Sequence, residues 1–202
     1  MSRTGLLIID MQNDMCHPEG RMFIRDAAHR AETMARVLQA FRETRQPVIH
    51  AVRSYRADSW DVERFRVPYF QNDRGFFIEG TWGRQIIDRL TPEPGEPIIV
   101  KQRFSAFMQT ELDLLLRRAD IDRIAVMGQN LPNCPRATMV DAVALDYDVI
   151  AVEDGLATGT EDTRIANLRD LEGIGIRIAT ANEVILEIHR AADRAASNEE
   201  RR

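Results

Sequence analysis

The chain is almost without lysine. Of its 27 basic residues one, Lys101, is lysine, and the other 26 are arginine. A drift toward arginine at exposed positions carries no functional content. A surviving lysine marks either a chance solvated residue or a position that needs a compact ammonium, which a planar guanidinium cannot replace. Cysteine is nearly absent too: Cys16 and Cys134 are the only two, which excludes a disulfide framework and leaves each as a small buried hydrophobe or a reactive thiol. No apolar run approaches the roughly 20 residues that span a bilayer. Met1 to Asp10 shows no basic region, long apolar stretch or small-residue cleavage site, so no signal peptide is expected and a cytoplasmic location is the default. The four histidines, His17, His29, His50 and His189, are scattered without metal-ligand spacing. There is no Gly-x-Gly-x-x-Gly run or phosphate-binding loop, so neither a metal nor a nucleotide cofactor is expected. A formal net charge of −5 weighs against nucleic acid as a partner.

What remains reads as one domain. The 202 residues are 44% hydrophobic and 29% charged, a length and composition suited to a single core. Apolar segments recur at Gly5–Asp10, Pro47–Val52, Pro97–Val100, Arg123–Met127, Val149–Val152 and Ile176–Ala179. Helical periodicity falls between them: Ala27–Arg45, Gly83–Leu90, Thr110–Arg118, Pro135–Leu145, Glu161–Leu171 and Ala181–Ala192. Strands alternating with helices predict an α/β fold with a parallel sheet covered on both faces. The domain is expected over residues 1–194, with a polar, frayed tail over 195–202. From Arg53 to Thr81 the pattern breaks, and aromatic residues including Tyr55 and Trp60 alternate with charges. Such a stretch is a lid over a site or an interface between subunits.

In parallel sheets ligands bind outside the carboxyl ends of the strands. Three residues at or just after strand ends carry chemistry. Asp10 closes the first strand and is either a turn cap or an acid–base group. Lys101 closes the third. Cys134 follows the fourth, and with Pro135 at the first helical position it stands at the N-cap, where free N–H groups and the helix dipole lower a thiol pKa. Together they form a chemical unit. The carboxylate takes the thiol proton, the ammonium steadies both anions, and the thiolate attacks a carbonyl carbon. The N–H groups of Asn130 and Cys134 would hold the oxyanion. Phe104 and Phe107, after Lys101, offer an apolar pocket wall or plain packing. Arg136 and Arg53 could clamp a substrate carboxylate, although in a chain so rich in arginine each is more simply a surface residue.

Three blocks in order carry a resemblance: Leu7-Ile8-Ile9-Asp10-Met11-Gln12-Asn13-Asp14, Lys101-Gln102-Arg103-Phe104-Ser105-Ala106-Phe107, and Gly128 through Cys134 to Thr138 with Asp141-Ala142. With them the chain resembles the isochorismatase-like cysteine hydrolases over roughly residues 4 to 185. The resemblance implies a three-layer α/β/α sandwich with a six-stranded parallel sheet, assembled as a homodimer or homotetramer. It implies Asp10 as general base and acid, Lys101 as its cationic partner and Cys134 as nucleophile. It also implies a non-proline cis peptide near Gln129-Asn130 that turns amides toward an oxyanion, with Gln129 at the pocket. Nicotinamidases of this family carry an Asp-His-His metal group after the second strand, where this chain has Arg53-Ser54-Tyr55-Arg56-Ala57-Asp58. Members that cleave a vinyl ether sometimes lack the cysteine. Its retention points to hydrolysis of a C–N bond in a small amide, carbamoyl or ureido compound, with no nucleic acid or membrane partner. The alternatives are isochorismatase-type vinyl ether hydrolysis, a non-catalytic member of the fold, or a thiol redox sensor, which would need Cys16 close to Cys134. Two departures touch the pocket: Met15 where many members have phenylalanine, and Leu131-Pro132-Asn133 in place of the commoner Thr-Asn-Val.

Overall fold

The computed structural model describes residues 3–199. Six parallel strands form one sheet: β1 Arg3–Ile9, β2 Val48–Arg53, β3 Ile98–Lys101, β4 Ile121–Gly128, β5 Asp148–Leu156 and β6 Arg177–Ala179, in the order β3-β2-β1-β4-β5-β6. The helices are α1 Asn13–Cys16, α2 Arg25–Glu43, α3 Val67–Gln71, α4 Leu112–Arg118, α5 Cys134–Ala144, α6 Glu161–Gly173 and α7 Ala181–Glu199.

The run Leu6-Leu7-Ile8-Ile9 lacks alternation because both faces of β1 are covered. Leu7 and Ile9 pack with Leu112 and Leu116 of α4, Met139 of α5 and Leu168 of α6. Leu6 and Ile8 pack on the other side with Met34, Leu38 and Phe41 of α2 and Val184 and Ile188 of α7. The same parity holds in β4, where Ile124 and Val126 join the first core and Ala125 and Met127 the second. Two apolar layers thus grip one sheet, the α/β/α sandwich.

Chain order reverses between β1 and β4, so a crevice opens beyond their carboxyl ends. Gly128 makes the close approach there possible. Its φ is 127°, and a Cβ would lie 2.2 Å from the carbonyl oxygen of Ile9, a contact no other residue could avoid.

Three expectations are corrected. Gly83–Leu90 is not one helix but two short 3₁₀ turns, Trp82–Arg84 and Asp88–Leu90. The backbone between them pairs across the chain instead: Asn13 N–H donates to Gln85 O (2.9 Å) and Ile87 N–H to Met11 O (3.1 Å). The last helix does not stop at Ala192. Arg194, Ala195 and Ala196 favour helix and the element runs to Glu199, and Thr180 and Glu183 cap its start reciprocally. Residues 200–202 of the expected tail lie outside the described residues. Finally, α5 begins at Cys134 itself, with Asn133 as N-cap and Pro135 inside the first turn.

The stretch from Arg53 to Thr81 has its own small core. Tyr55, Phe76 and Phe77 are buried with Met15 and Val62, and Tyr55 meets Phe70 and Phe76 edge to face at 5.7 and 6.2 Å. Tyr55 also bridges to Ile78, tying this segment to the end of β2. No helix is long and apolar enough to cross a membrane among the described residues.

Candidate active site

Neighbouring strand ends present the ionisable groups. Asp10 follows β1 with φ 52°, a left-handed conformation an aspartate tolerates, and its N–H donates to Ala51 O (2.8 Å). Its Oδ2 accepts from Lys101 Nζ at 2.8 Å and lies 3.9 Å from Arg53 Nε. Lys101 closes β3 in register with Arg53 at the end of β2, so the ammonium reaches Asp10 past the intervening strand. Lys101 is 0% and Asp10 1% exposed. Two charges so buried are tolerable only as a pair. Asp10 Oδ1 is buried without a hydrogen-bond partner, which leaves one carboxylate oxygen free to take a proton.

Cys134 approaches from the other side of the crevice, at the start of α5. Arg53 Nη2 donates to its Sγ at 3.0 Å. The first turn of α5 is braced by Thr138, whose hydroxyl donates to Cys134 O (2.7 Å) and accepts from Ala106 N–H (3.0 Å). The helix N-terminus does not prevail over burial, as the sequence suggested it would. Burial pushes the thiol pKa up, the charge of Asp10 pushes it further, and Lys101 and Arg53 pull against them without reversing the direction. A thiol whose pKa is raised needs a base to ionise it.

The peptide between Gln129 and Asn130 is cis. Around it, Gln129 N–H donates to Ile9 O (3.0 Å), Leu131 N–H to Ala157 O (2.8 Å) and Asn133 N–H to Asn130 O (2.9 Å). The N–H groups of Asn130 and Cys134 have no such acceptor among the described residues. Two free donors beside a thiol are the equipment of an oxyanion hole. The Gln129 amide donates to Asp10 O (2.9 Å) and to Cys16 Sγ (3.1 Å), so it braces the turn. Burial raises the Cys16 pKa to about 12, against the Gln129 hydrogen bond.

Sequence reasoning set Arg53 aside as a surface residue, yet it is 1% exposed. Its backbone N–H and C=O are held by the Gln12 side-chain amide at 2.8 and 2.7 Å, which extends β2 as a strand neighbour would. The guanidinium donates to Glu63 Oε1 (2.6 Å), the Tyr55 hydroxyl, Gln102 O (3.3 Å) and Arg103 O (3.1 Å) as well as to Cys134. Burial works against its charge, and Cys134, Asp10, Tyr55 and Glu63 more than restore it, so its pKa is raised. Gln12 and Glu63 were missed as well. A signal existed for Arg53, since it ends β2 as Lys101 ends β3. None existed for Glu63, which arrives from the irregular segment.

The other expected pocket residues divide. Tyr55 touches Arg53 and Glu63. Phe104 packs beneath the Arg53 guanidinium at 5.4 Å and stacks with Phe65 at 6.3 Å. Met15 lies in the aromatic core of the Arg53–Thr81 segment. Phe107 stacks on Tyr147 at 5.9 Å. Trp60 is 86% exposed, and Arg136 pairs with Asp170 of α6; neither is gathered with the thiol. Among the described residues no group of three or more His, Cys, Asp or Glu could hold a metal ion.

A family model, the isochorismatase domain, matches residues 4–183. A probable inactive nicotinamidase of Arabidopsis thaliana is 35% identical over 183 residues, 89% of this chain and 93% of that protein. The crystal structure of an isochorismatase family protein from Desulfovibrio vulgaris is similar with a TM-score of 0.88 and 40% identity, over 90% of this chain and 96% of that one. An N-carbamoylsarcosine amidase from Thermoplasma acidophilum is similar with a TM-score of 0.75 and 25% identity, over 89% and 96%.

Proposed function

The chain belongs to the isochorismatase domain family, and on that premise we propose that it is a cysteine hydrolase that cleaves a C–N bond in a small non-peptide amide, carbamoyl or ureido compound. The observation that carries this reading is the buried convergence of Asp10, Lys101 and Cys134 beside two unengaged backbone N–H groups. The similarity to an N-carbamoylsarcosine amidase supports the bond type.

In this mechanism Asp10 takes the Cys134 proton through its free oxygen, and the thiolate attacks the carbonyl carbon. The N–H groups of Asn130 and Cys134 hold the oxyanion. Asp10 returns the proton to the leaving nitrogen, the C–N bond breaks, and a thioester remains. Asp10 then deprotonates the water that hydrolyses it. Lys101 fixes the carboxylate and offsets the negative charge that passes between Asp10 and the sulfur. With Cys134 only 5% exposed, the site suits a small substrate. The Arabidopsis relative's name concerns nicotinamide, and residues 53–58 here lack the Asp-His-His group of the family's nicotinamidases. Nicotinamide is therefore not the expected substrate.

The test is ammonia release from a panel of small amides, carbamoyl acids and ureido compounds, nicotinamide included, by wild type and Cys134→Ala. Release from one carbamoyl or ureido class, abolished in the variant, is expected. Pyruvate formed from isochorismate without ammonia from any amide would replace this reading with vinyl ether cleavage. A folded wild type inert to all would leave a binding role for the fold.

A further inference from the structure

Arg53 gives the nucleophile a cation of its own. Lys101 is hydrogen-bonded to Asp10 at 2.8 Å and favours the thiolate through space, whereas the Nη2 of Arg53 points at Cys134 Sγ at 3.0 Å. The guanidinium cannot swing away: Gln102 O and Arg103 O hold it from one side, Glu63 and Tyr55 from another, and its own backbone is clamped by Gln12. Glu63 in turn is shared. One oxygen meets Arg53 at 2.6 Å and the other lies 3.2 Å from Arg66 Nε. The charged groups facing the sulfur are thus Asp10 from β1, Arg53 from β2 and Lys101 from β3, with Glu63, Tyr55 and Arg66 behind Arg53. The loop after β3 meets these groups through the carbonyl oxygens of Gln102 and Arg103, and Arg136 of α5 pairs with Asp170.

We propose that Arg53 is a further catalytic residue, which holds the Cys134 thiolate by charge and a hydrogen bond, and that Glu63 is a positioning residue that sets how much of that charge reaches the sulfur. The inference rests on Cys134 being the nucleophile. When the S–H proton passes to Asp10, the sulfur gains a negative charge in a site that excludes water. A guanidinium N–H already aimed at it stabilises that charge without reorganisation. As the C–S bond forms, the charge moves from sulfur to the carbonyl oxygen, and the Asn130 and Cys134 amides take over. Burial and Asp10 both oppose ionisation of Cys134, and Lys101 and Arg53 are the groups that favour it. Without Arg53 the thiolate fraction falls, and so does the attack rate. Glu63 draws the guanidinium's field toward itself and restrains this effect.

The two roles predict opposite signs, which a merely structural role would not. The readout is the pH midpoint of Cys134 ionisation, followed by thiolate ultraviolet absorbance and by the rate of iodoacetamide modification located by peptide mass spectrometry, with Cys134→Ala as blank. Cys16, whose sulfur meets the Gln129 amide and not Arg53, is the internal control. Arg53→Gln is expected to move the midpoint up and to slow modification at neutral pH by about tenfold, the change in thiolate fraction for one pKa unit. Arg53→Lys should recover part of it. Glu63→Gln, nearly isosteric, is expected to move the midpoint down and to speed modification. Should Arg53→Gln not fold, the sign of the Glu63→Gln shift decides alone. A Glu63→Gln midpoint unchanged or raised overturns the proposal, as does a Cys134 no more reactive than Cys16 in every variant. None of these readouts needs a substrate, so a failed ammonia assay would remove the proposed reaction and leave these shifts to be judged separately.

Discussion

Replacing Lys101 by methionine removes an ammonium that is 0% exposed and 2.8 Å from a carboxylate that is 1% exposed. Methionine fills much the same volume, so the loss is mainly electrostatic. Removing one partner of a buried pair costs about 3–5 kcal/mol, because the other charge is left without compensation. Arg53 Nε, 3.9 Å from the same oxygen, still offers Asp10 partial relief, so the expected cost lies near the lower end, about 3 kcal/mol. For a chain of this length each kcal/mol lowers the melting temperature by about 2–4 °C, which gives a fall of roughly 6–12 °C. Asp10→Asn should cost a similar amount, since it strands the ammonium. The double variant should cost far less than the sum, because both charges leave together, and the cycle should report a coupling of a few kcal/mol. Urea unfolding of the four proteins at neutral pH measures all of this. A Lys101→Met cost under about 1 kcal/mol, the range of an exposed ion pair, would refute the buried pair and with it the assignment of Lys101 as Asp10's fixed partner.

Two further predictions concern the scaffold. Gly128→Ala would place a Cβ 2.2 Å from Ile9 O at φ 127°, so it should destabilise by about 2 kcal/mol or more and displace the Asn130 amide. Thermal unfolding and loss of any measured hydrolysis would reveal this together, and an unaffected melting temperature would contradict the close approach. His50 is buried at 1% exposure in β2, and its pKa is lowered from the ordinary 6.5, first by burial and also by Arg42, with the Glu96 hydrogen bond opposing. A lowered folded pKa means that the unfolded chain binds more protons once the pH drops below 6.5. Stability present above that pH is then lost as pH falls toward the folded value. Unfolding free energies measured across that window should slope downward on acidification, and His50→Asn should flatten the slope.

Much of the fold was legible because strand and helix periodicities are local. Four consecutive apolar residues ending in Asp10, a lone Lys101 after Pro97–Val100, and Gly128 ahead of Cys134-Pro135 place two ionisable groups at strand ends and a thiol at the start of the next helix. The short pieces near Gly83–Leu90 were misread because their backbone is paired with residues 11–13, a partner no local pattern names. Residues 195–199 were misread because polarity was taken for fraying, although alanine and arginine sustain a helix without apolar contacts.

What the sequence by itself determined is the sheet with its two covers and the identity of the groups at its carboxyl edge. What only the tertiary structure decided is the electrostatics of the sulfur. Burial raises the pKa of Cys134 where its place at a helix start predicted a lowering, and Arg53, one arginine among 26, becomes the cation in contact with it. The physical reason is that desolvation and Coulomb terms depend on distance and on excluded water. Both are set by strand order and by where an irregular segment folds down, neither of which is written in the spacing of residues along the chain.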